Sequence, residues 1–264
     1  MKMRLILNAL AVCIGMQAFA AEPLTESTFT EIVRQANVVT AADKAVTPAH
    51  TNEVFRVPDL VRTGADSRLE MTAPDQTVTR VGADTVFTFE AGERDIRLFR
   101  GSVLFHPPAG VGGGTVRYGG TAAAVLGTTM ICAVLSDGSF KVMVLEGEAT
   151  VTLANGTSID LKAGQMVIVP PAGDHFGPVV EVNLGQLIDH LLLVVGFSSP
   201  LSSMPLIAEA IRLQDEQIAA GTLDHFANLS FALYGLDVIG IELNFPPSLL
   251  NTLDHTLLFV SPVR

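Results

Sequence analysis

The chain has 264 residues, of which 48% are hydrophobic and 16% charged, and this composition excludes an intrinsically disordered protein. Sixteen Lys and Arg against 27 Asp and Glu give a formal net charge of −11, which argues against nucleic acid or an anionic membrane surface as a partner. The lack of Trp and an aromatic content of 6% disfavour the aromatic platforms of many sugar- and base-binding modules.

The first twenty residues have the pattern of a secretory signal peptide. Lys2 and Arg4 form a positive start, a mostly apolar run follows, and residues 18–20 read Ala-Phe-Ala, the small-x-small pattern that signal peptidase cleaves. We therefore predict cleavage between Ala20 and Ala21 and export to the periplasm or the medium. The apolar run is shorter than the about 20 residues that span a bilayer, so an uncleaved anchor is the weaker alternative.

Removal of the leader would leave Cys132 as the only cysteine, which excludes an intramolecular disulfide. Its neighbours are apolar, so we expect a buried, inert thiol. Lipidation at Cys13 is disfavoured because the bulky Val12 precedes it. No later segment reaches the length of a membrane span, and we expect a soluble mature chain without stable membrane insertion.

Residues 21–181 are predicted to form a mainly β domain. Leu69 and Met71 alternate with polar residues, a period of two that is typical of half-buried strands. Residues 142–145 are apolar on both faces and predict a central strand that is covered on each side. Short strands at close spacing indicate an antiparallel β-sandwich or a β-roll.

Turn signals separate these strands. Asp137-Gly138 and Asn155-Gly156 each lie between apolar runs and predict hairpins. Residues 41–44 predict a turn between two early strands, and the glycine-rich residues 110–120 predict a flexible hairpin loop rather than a phosphate-binding loop.

Residues 182–264 are predicted to form a helical C-terminal segment. The apolar positions of residues 206–218 fall on one helical face, Pro205 suits a first turn, and Gly221 suits a stop. The apolar face of a helix this short needs a partner, so we expect the segment to dock on the β domain. Two further stretches are weaker helix candidates, 223–234 and 248–258.

The strand region resembles the FecR domain, a β-rich module on the exported side of bacterial signalling and envelope proteins. The core of the resemblance covers about residues 60–169. The matching stretches are LVRTGADSRLEM at 60–71, RVGADTVFTFE at 80–90, RLFRGSVLFH at 97–106, AAAVLGTTM at 122–130, KVMVLEGEATV at 141–151 and LKAGQMVIV at 161–169.

We interpret the residues that carry this resemblance as mainly structural. Four of their glycines lie at predicted strand junctions, where a positive φ favours glycine, and Gly127 indicates a bulge or a close backbone approach. Asp66 and Ser67 can bond the local backbone of their turn. The motif residues are Arg62, Thr63, Gly64, Ser67, Arg100, Gly101, Gly127, Thr128, Glu146, Gly147, Gly164 and Gln165.

No pattern in the sequence indicates catalysis, a metal or a cofactor. The six histidines have no metal-ligand spacing, and His106 is best interpreted as the end of a strand. Glu93 and Asp95 are expected in a solvated turn, and no Gly-x-Ser-x-Gly motif would present a nucleophile.

The resemblance implies a non-enzymatic exported protein that acts through contact with an envelope protein, in signalling. Regulators of sigma factors in this family combine a cytoplasmic tail, one membrane span and an exported region. Residues 1–4 are too short for such a tail, so the chain resembles the exported region alone. The alternatives are a carbohydrate- or peptidoglycan-binding envelope module and an enzyme.

Overall fold

The computed structural model describes residues 22–239 and 259–260, in which most of the chain forms two stacked β-sheets. The predicted signal peptide, its cleavage site and the helix candidate 248–258 lie outside these residues.

One sheet, sheet A, is built from strands that pair antiparallel in the order β4, β1, β6, β7, β9, β12, β13, β16, β17. Its strands are β1 Glu26–Val33, β4 Val54–Arg56, β6 Arg68–Thr72, β7 Val78–Val81, the second half of β9 Asp95–His106, β12 Thr129–Val134, β13 Phe140–Glu146, β16 Gln165–Val169 and β17 Val180–Glu181.

The other sheet, sheet B, has the order β3, β2, β5, β8, β9, β10, β11, β14, β15, and its pair β9–β10 is parallel. Its strands are β2 Ala36–Val39, β3 Val46–Pro48, β5 Leu60–Thr63, β8 Val86–Phe89, the first half of β9, β10 Gly114–Tyr118, β11 Thr121–Val125, β14 Glu148–Thr152 and β15 Ser158–Lys162.

Strand β9 belongs to both sheets and crosses between them at Gly101, which has φ +81°. A Cβ at this position would lie 2.5 Å from the Cα of Thr85. This clash involves a backbone atom, so a side-chain rotation cannot relieve it. The sequence predicted Gly101 at a strand junction; instead, Gly101 lies inside β9 at the point where this strand changes sheets.

The space between the sheets is the main hydrophobic core. Four buried phenylalanines form a row across this core from sheet A to sheet B, in the order Phe29, Phe55, Phe89 and Phe87. The centroids of successive rings are 6.2, 5.8 and 5.7 Å apart. Tilted and edge-on rings at these separations add to the stabilisation that burial provides. The mainly β fold is confirmed as a sandwich, with the pair β9–β10 as an exception to its antiparallel pairing.

The two predicted hairpin turns are confirmed and have the same structure. Gly138 and Gly156 have φ +84° and +86°, and each donates its amide to the carbonyl three residues earlier. The side chains of Asp137 and Asn155 each accept the amide two residues on, at 2.9 Å. Asp and Asn are interchangeable here because the turn needs only that acceptor oxygen. The predicted turn at 41–44 is also present.

The C-terminal segment contains short helices, and the predicted helix at 206–218 is confirmed as the main one. The helices are α1 Leu184–Leu187, α2 Leu192–Val195, α3 Met204–Ala219 and α4 Leu229–Leu233, with a 3₁₀ turn at Ile188–His190. The weaker candidate 223–234 is wrong in its first half, because β18 Phe226–Ala227 pairs there with β19 Phe259–Val260.

This segment packs on the outer face of sheet A. Ile207 of α3 and Leu184 of α1 join a second apolar cluster with alternate residues of the central strands, Met143 and Leu145 among them. The residues between these, Val142 and Val144, face the sandwich core. The fully buried run 142–145 therefore arises because sheet A is covered on both sides, as its sequence predicts.

Candidate functional site

The two sheets differ in what covers their outer faces. The described C-terminal segment packs on sheet A, and no described helix packs on the outer face of sheet B. The motif residues and several charged side chains fall into three groups: turns that fix the sandwich, buried polar groups beneath the C-terminal segment, and exposed residues on sheet B.

Motif residues between β5 and β6 fix a turn. The Thr63 hydroxyl donates to the carbonyl of Gly82 at 2.6 Å, and the Ser67 hydroxyl accepts the amide of Gln35 at 3.2 Å. The left-handed residue of this turn is Asp66, with φ 48°, not Gly64 as the sequence suggested. Asp adopts this conformation more readily than most residues because its short polar side chain can form local hydrogen bonds.

A second group joins the end of β11 to the β13–β14 turn. Gly127 approaches another backbone closely, since a Cβ there would lie 2.8 Å from the Cα of Ala109, which confirms the close-approach interpretation. The hydroxyl of Thr128 donates to the carbonyl of Glu148 at 2.9 Å. A Cβ on Gly147 would meet that hydroxyl at 2.6 Å, so glycine is needed at the turn.

The turn between β15 and β16 completes the set. Gly164 has φ +82°, and the Gln165 side chain accepts the amide of Lys162 and donates to Glu181, at 2.9 and 2.7 Å. These contacts join the turn to β15 and β17.

A buried polar cluster lies between β9, β12, β13 and the start of α3. Its centre is the Thr129 hydroxyl, which lies 2.6 Å from Glu146 Oε1, 2.7 Å from Ser203 Oγ and 3.0 Å from His106 Nδ1. Burial lowers the pKa of His106 and raises the pKa of Glu146, so both side chains favour their neutral forms.

This cluster contains a hydroxyl, an imidazole and a carboxyl group, the side chains of acyl-transfer sites, but its geometry is closed. Each of the four side chains belongs to a residue that is at most 5% exposed. Ser203 also precedes α3 without capping it, because its hydroxyl is bonded to Thr129 instead. The cluster therefore links α3 to sheet A. His106 lies at the end of β9, as predicted, but its partners are distant in sequence and no pattern indicated them.

Two buried cations of sheet A hold the backbone of the C-terminal segment. Arg80 of β7 is fully buried, pairs with Glu70 at 2.8 Å, and donates to the carbonyls of Val194 and Ser199 at 2.8 and 2.7 Å. Its guanidinium also lies 4.4 Å from the ring centroid of Phe197. A buried charge is tolerated only with this degree of hydrogen bonding.

Lys141 of β13 makes the second of these contacts. Its ammonium donates to the carbonyls of Phe231, Ala232 and Tyr234, at 3.2, 3.1 and 2.5 Å, at the C-terminal end of α4. Carbonyl oxygens at a helix C-terminus attract a cation. Burial acts against the charge and lowers the pKa of Lys141 to about 7.

The exposed outer face of sheet B carries a group of basic side chains. Arg62 of β5 and Arg100 of β9, both motif residues, are exposed and flank the same residue of β8, Val86. Arg97 and Arg117 are paired across β9 and β10 and are exposed as well. We name these four residues the arginine face.

Two sequence interpretations near this face are corrected. Asp95 is not in a solvated turn: it begins β9, is 7% exposed, and lies 2.5 Å from Arg117 Nε. Its partner is distant in sequence, so no local pattern could reveal the pairing; Glu93 is exposed, as expected. The glycine-rich residues 110–120 are two tight turns around strand β10, not one hairpin loop.

Among the described residues, no three His, Cys, Asp or Glu side chains are grouped as metal ligands, and no helix combines the length and hydrophobicity of a membrane span. Cys132 is buried, and burial raises the pKa of its thiol.

Comparison with known proteins finds a family match within the sandwich. Residues 59–150 match the FecR protein family, which is a regulatory family of signal transduction. The predicted resemblance to the FecR domain is therefore confirmed over these residues. No curated protein matches the sequence.

Two crystal structures of a candidate anti-sigma factor from Parabacteroides distasonis ATCC 8503, at 1.65 and 2.50 Å resolution, are similar to part of the chain. Each has 20% sequence identity and a TM-score of 0.41, and the similarity covers 46% of this chain and 59% of the other. The matched part is thus about three-fifths of the length of that solved protein.

Proposed function

We propose that the protein is an exported, non-enzymatic FecR-like module that takes part in signal transduction by binding another protein of the cell envelope. In this proposal residues 1–20 are a cleaved signal peptide, residues 21–181 form the FecR-like domain, and residues 182–264 form a segment docked on it. The match to the regulatory FecR family over residues 59–150 supports the signalling role.

The observation that carries the proposal is the difference between the two outer faces. Sheet A is occupied by the C-terminal segment, which Arg80 and Lys141 hold in place. Sheet B exposes the arginine face together with Phe99, which is 46% exposed. Arginine and aromatic residues are enriched at protein–protein interfaces, so this face has the composition of a contact surface.

A groove beside the arginine face favours a second function, the binding of carbohydrate or peptidoglycan. It has a volume of about 900 Å³, and its lining includes Asp95, Glu148, Thr150 and Asp160, whose oxygens can bond sugar hydroxyls. No aromatic side chain is among the described residues that line it, which leaves a sugar ring without a stacking partner.

Affinity purification of the full chain from envelope extracts of the producing bacterium separates these functions. We expect one envelope protein to be recovered in an amount nearly equal to that of the purified chain. We also expect intact-mass analysis to show that the purified chain begins at Ala21. Recovery of muropeptides or glycan without a protein would favour the carbohydrate function. A chain that retains residues 1–20 would contradict export with cleavage.

A further inference from the structure

The arginine face concentrates positive charge in an acidic protein. Four of the nine exposed Lys and Arg side chains among the described residues lie on this face, although the chain has a net charge of −11. The other five are scattered over the surface: Arg34, Lys44, Arg56, Lys162 and Arg212.

The four arginines differ in their partners. Arg97 forms an ion pair with Glu90, and Arg117 forms one with Asp95. Within the described part of the chain, Arg62 and Arg100 form no ion pair, although each is exposed. The face therefore presents two unneutralised guanidinium groups beside two neutralised ones.

The strand register sets the spacing of the two unpaired arginines. Arg62 and Arg100 are both paired with Val86, from opposite sides of β8. Neighbouring strands are about 4.8 Å apart, so their Cα atoms are separated by about 10 Å. Carboxylates at positions i and i+2 of an extended segment are about 7 Å apart, and long arginine side chains can cover the difference.

An apolar side chain lies next to these charges. Phe99 occupies the irregularity where β9 shifts its register against β8, and it remains 46% exposed. It lines a recess of about 310 Å³ together with Arg97, Arg117 and Tyr118. An exposed ring bordered by guanidinium groups gives an anchor for an apolar side chain as well as for carboxylates.

We propose that the arginine face binds an acidic, extended segment of a protein partner, with carboxylates on Arg62 and Arg100 and an apolar side chain against Phe99. This inference rests on the proposed function and names the surface and the chemistry of the partner. The two unneutralised arginines can bind two carboxylates that lie close together in a peptide, whereas a polyanionic polysaccharide would need a longer row of basic side chains.

Site-specific crosslinking tests where the partner binds. Phe99 is replaced by the photo-crosslinking residue p-benzoylphenylalanine in the full chain, and a matched variant carries it at Leu213, which is 47% exposed on α3. We expect the Phe99 variant to crosslink to a partner peptide rich in Asp and Glu. Crosslinking from Leu213 alone would overturn the proposed surface but leave the protein-binding function standing. Crosslinking from neither position would contradict both.

A defined probe tests the chemistry. The probe is a fluorescein-labelled ten-residue peptide of alternating Glu and Ser, and binding is followed by anisotropy. We expect Arg62→Glu with Arg100→Glu to weaken binding at least about tenfold, because two charge-assisted contacts become repulsive. The control, Lys44→Glu with Lys162→Glu, makes the same change in net charge elsewhere and should change binding less than about twofold.

Three results would overturn the proposal: equal weakening by the two double variants, no binding of the Glu–Ser peptide to the unmodified chain, or binding of a heparin fragment in place of the peptide. The last would identify a sulfated polysaccharide as the better ligand. Circular dichroism of each variant confirms that the fold is retained.

Discussion

The ammonium group of Lys141 lies 5.9 Å from the ring centroid of Phe231 and donates to the carbonyl of the same residue at 3.2 Å. A strand of sheet A thus reaches the last turn of α4 through one buried cation. This contact and the Arg80 contact make the docking of the C-terminal segment dependent on buried hydrogen bonds as well as on apolar area.

The pKa of Lys141 makes stability depend on pH. Burial lowers this pKa from the ordinary 10.5 to about 7, so between these values the unfolded chain holds a proton that the folded chain has lost. The Lys141 contribution therefore rises with pH in this window, by up to about 1.4 kcal/mol per pH unit, and is lost as the pH falls through about 7.

We expect the free energy of unfolding of the unmodified chain, relative to Lys141→Met, to increase between pH 7 and pH 9 in urea titrations. Lys162→Met, at an exposed position, should leave the pH profile unchanged. A constant difference between the unmodified chain and Lys141→Met would contradict the lowered pKa.

Replacement of Arg80 tests the other buried cation. Arg80→Lys keeps the charge but loses the fork that serves Glu70, Val194 and Ser199 together, so we expect a loss of about 2–3 kcal/mol in the free energy of unfolding. Arg34→Lys changes an exposed ion pair and should cost less than about 0.5 kcal/mol. Limited proteolysis should show earlier cleavage within residues 182–239 in Arg80→Lys, and equal cleavage of both variants would refute the role of Arg80.

The buried cluster around Thr129 predicts a loss of stability in weak acid. Burial lowers the pKa of His106 below 6.5, so as the pH falls below 6.5 the unfolded chain binds a proton that the folded chain resists. Stability from His106 is present above that pH and is lost as the pH falls through the folded pKa. His106→Gln should remove this part of the pH dependence of thermal unfolding.

Glu146 gives the opposite dependence. Because burial raises its pKa above 4.5, the folded chain binds the proton more tightly, and stability from Glu146 is lost as the pH rises through the folded pKa. Glu146→Gln should therefore remove the loss of thermal stability that occurs as the pH rises through the folded pKa of Glu146. If both variants shift the profile in the same direction, the assignment of neutral forms to this cluster is wrong.

Substitution of two glycines that have the same backbone conformation distinguishes backbone strain from steric crowding. Gly92 and Gly101 have φ +79° and +81°, but a Cβ on Gly92 meets nothing within 4 Å. We expect Gly92→Ala to lower the free energy of unfolding by about 1–2 kcal/mol, the cost of a left-handed alanine. Gly101→Ala should cost at least about 2 kcal/mol more, because its Cβ would collide with Thr85. Equal losses in denaturant titrations would show that β9 shifts to make room.

Sequence patterns predicted the parts of the fold that depend on neighbouring residues. The turns at Gly138 and Gly156 need a left-handed residue and one side-chain acceptor, and both requirements are met within five residues of chain. The helix at 206–218 is visible because a 3.6-residue period and a first-turn proline coincide.

Other features depend on residues far apart in sequence, and the sequence did not reveal them. The period of two in β9 is the same whichever sheet a residue joins, so the crossing at Gly101 leaves no trace in the pattern. Arg80 and Lys141 each begin a matched stretch, and the charge of Lys141 inside an apolar run is a sequence signal of burial. The arginine face requires the order of β5, β8, β9 and β10, which only the structure gives.

The passage of β9 through both sheets has a consequence for unfolding. In a sandwich with separate layers, one sheet can open while the other keeps its backbone hydrogen bonds. Here the bonds of β7 and β12 and those of β8 and β10 end on one continuous strand. Neither layer can detach without releasing that strand, so the amides of both halves of β9 should exchange with solvent at the same rate, in a single opening of the whole domain.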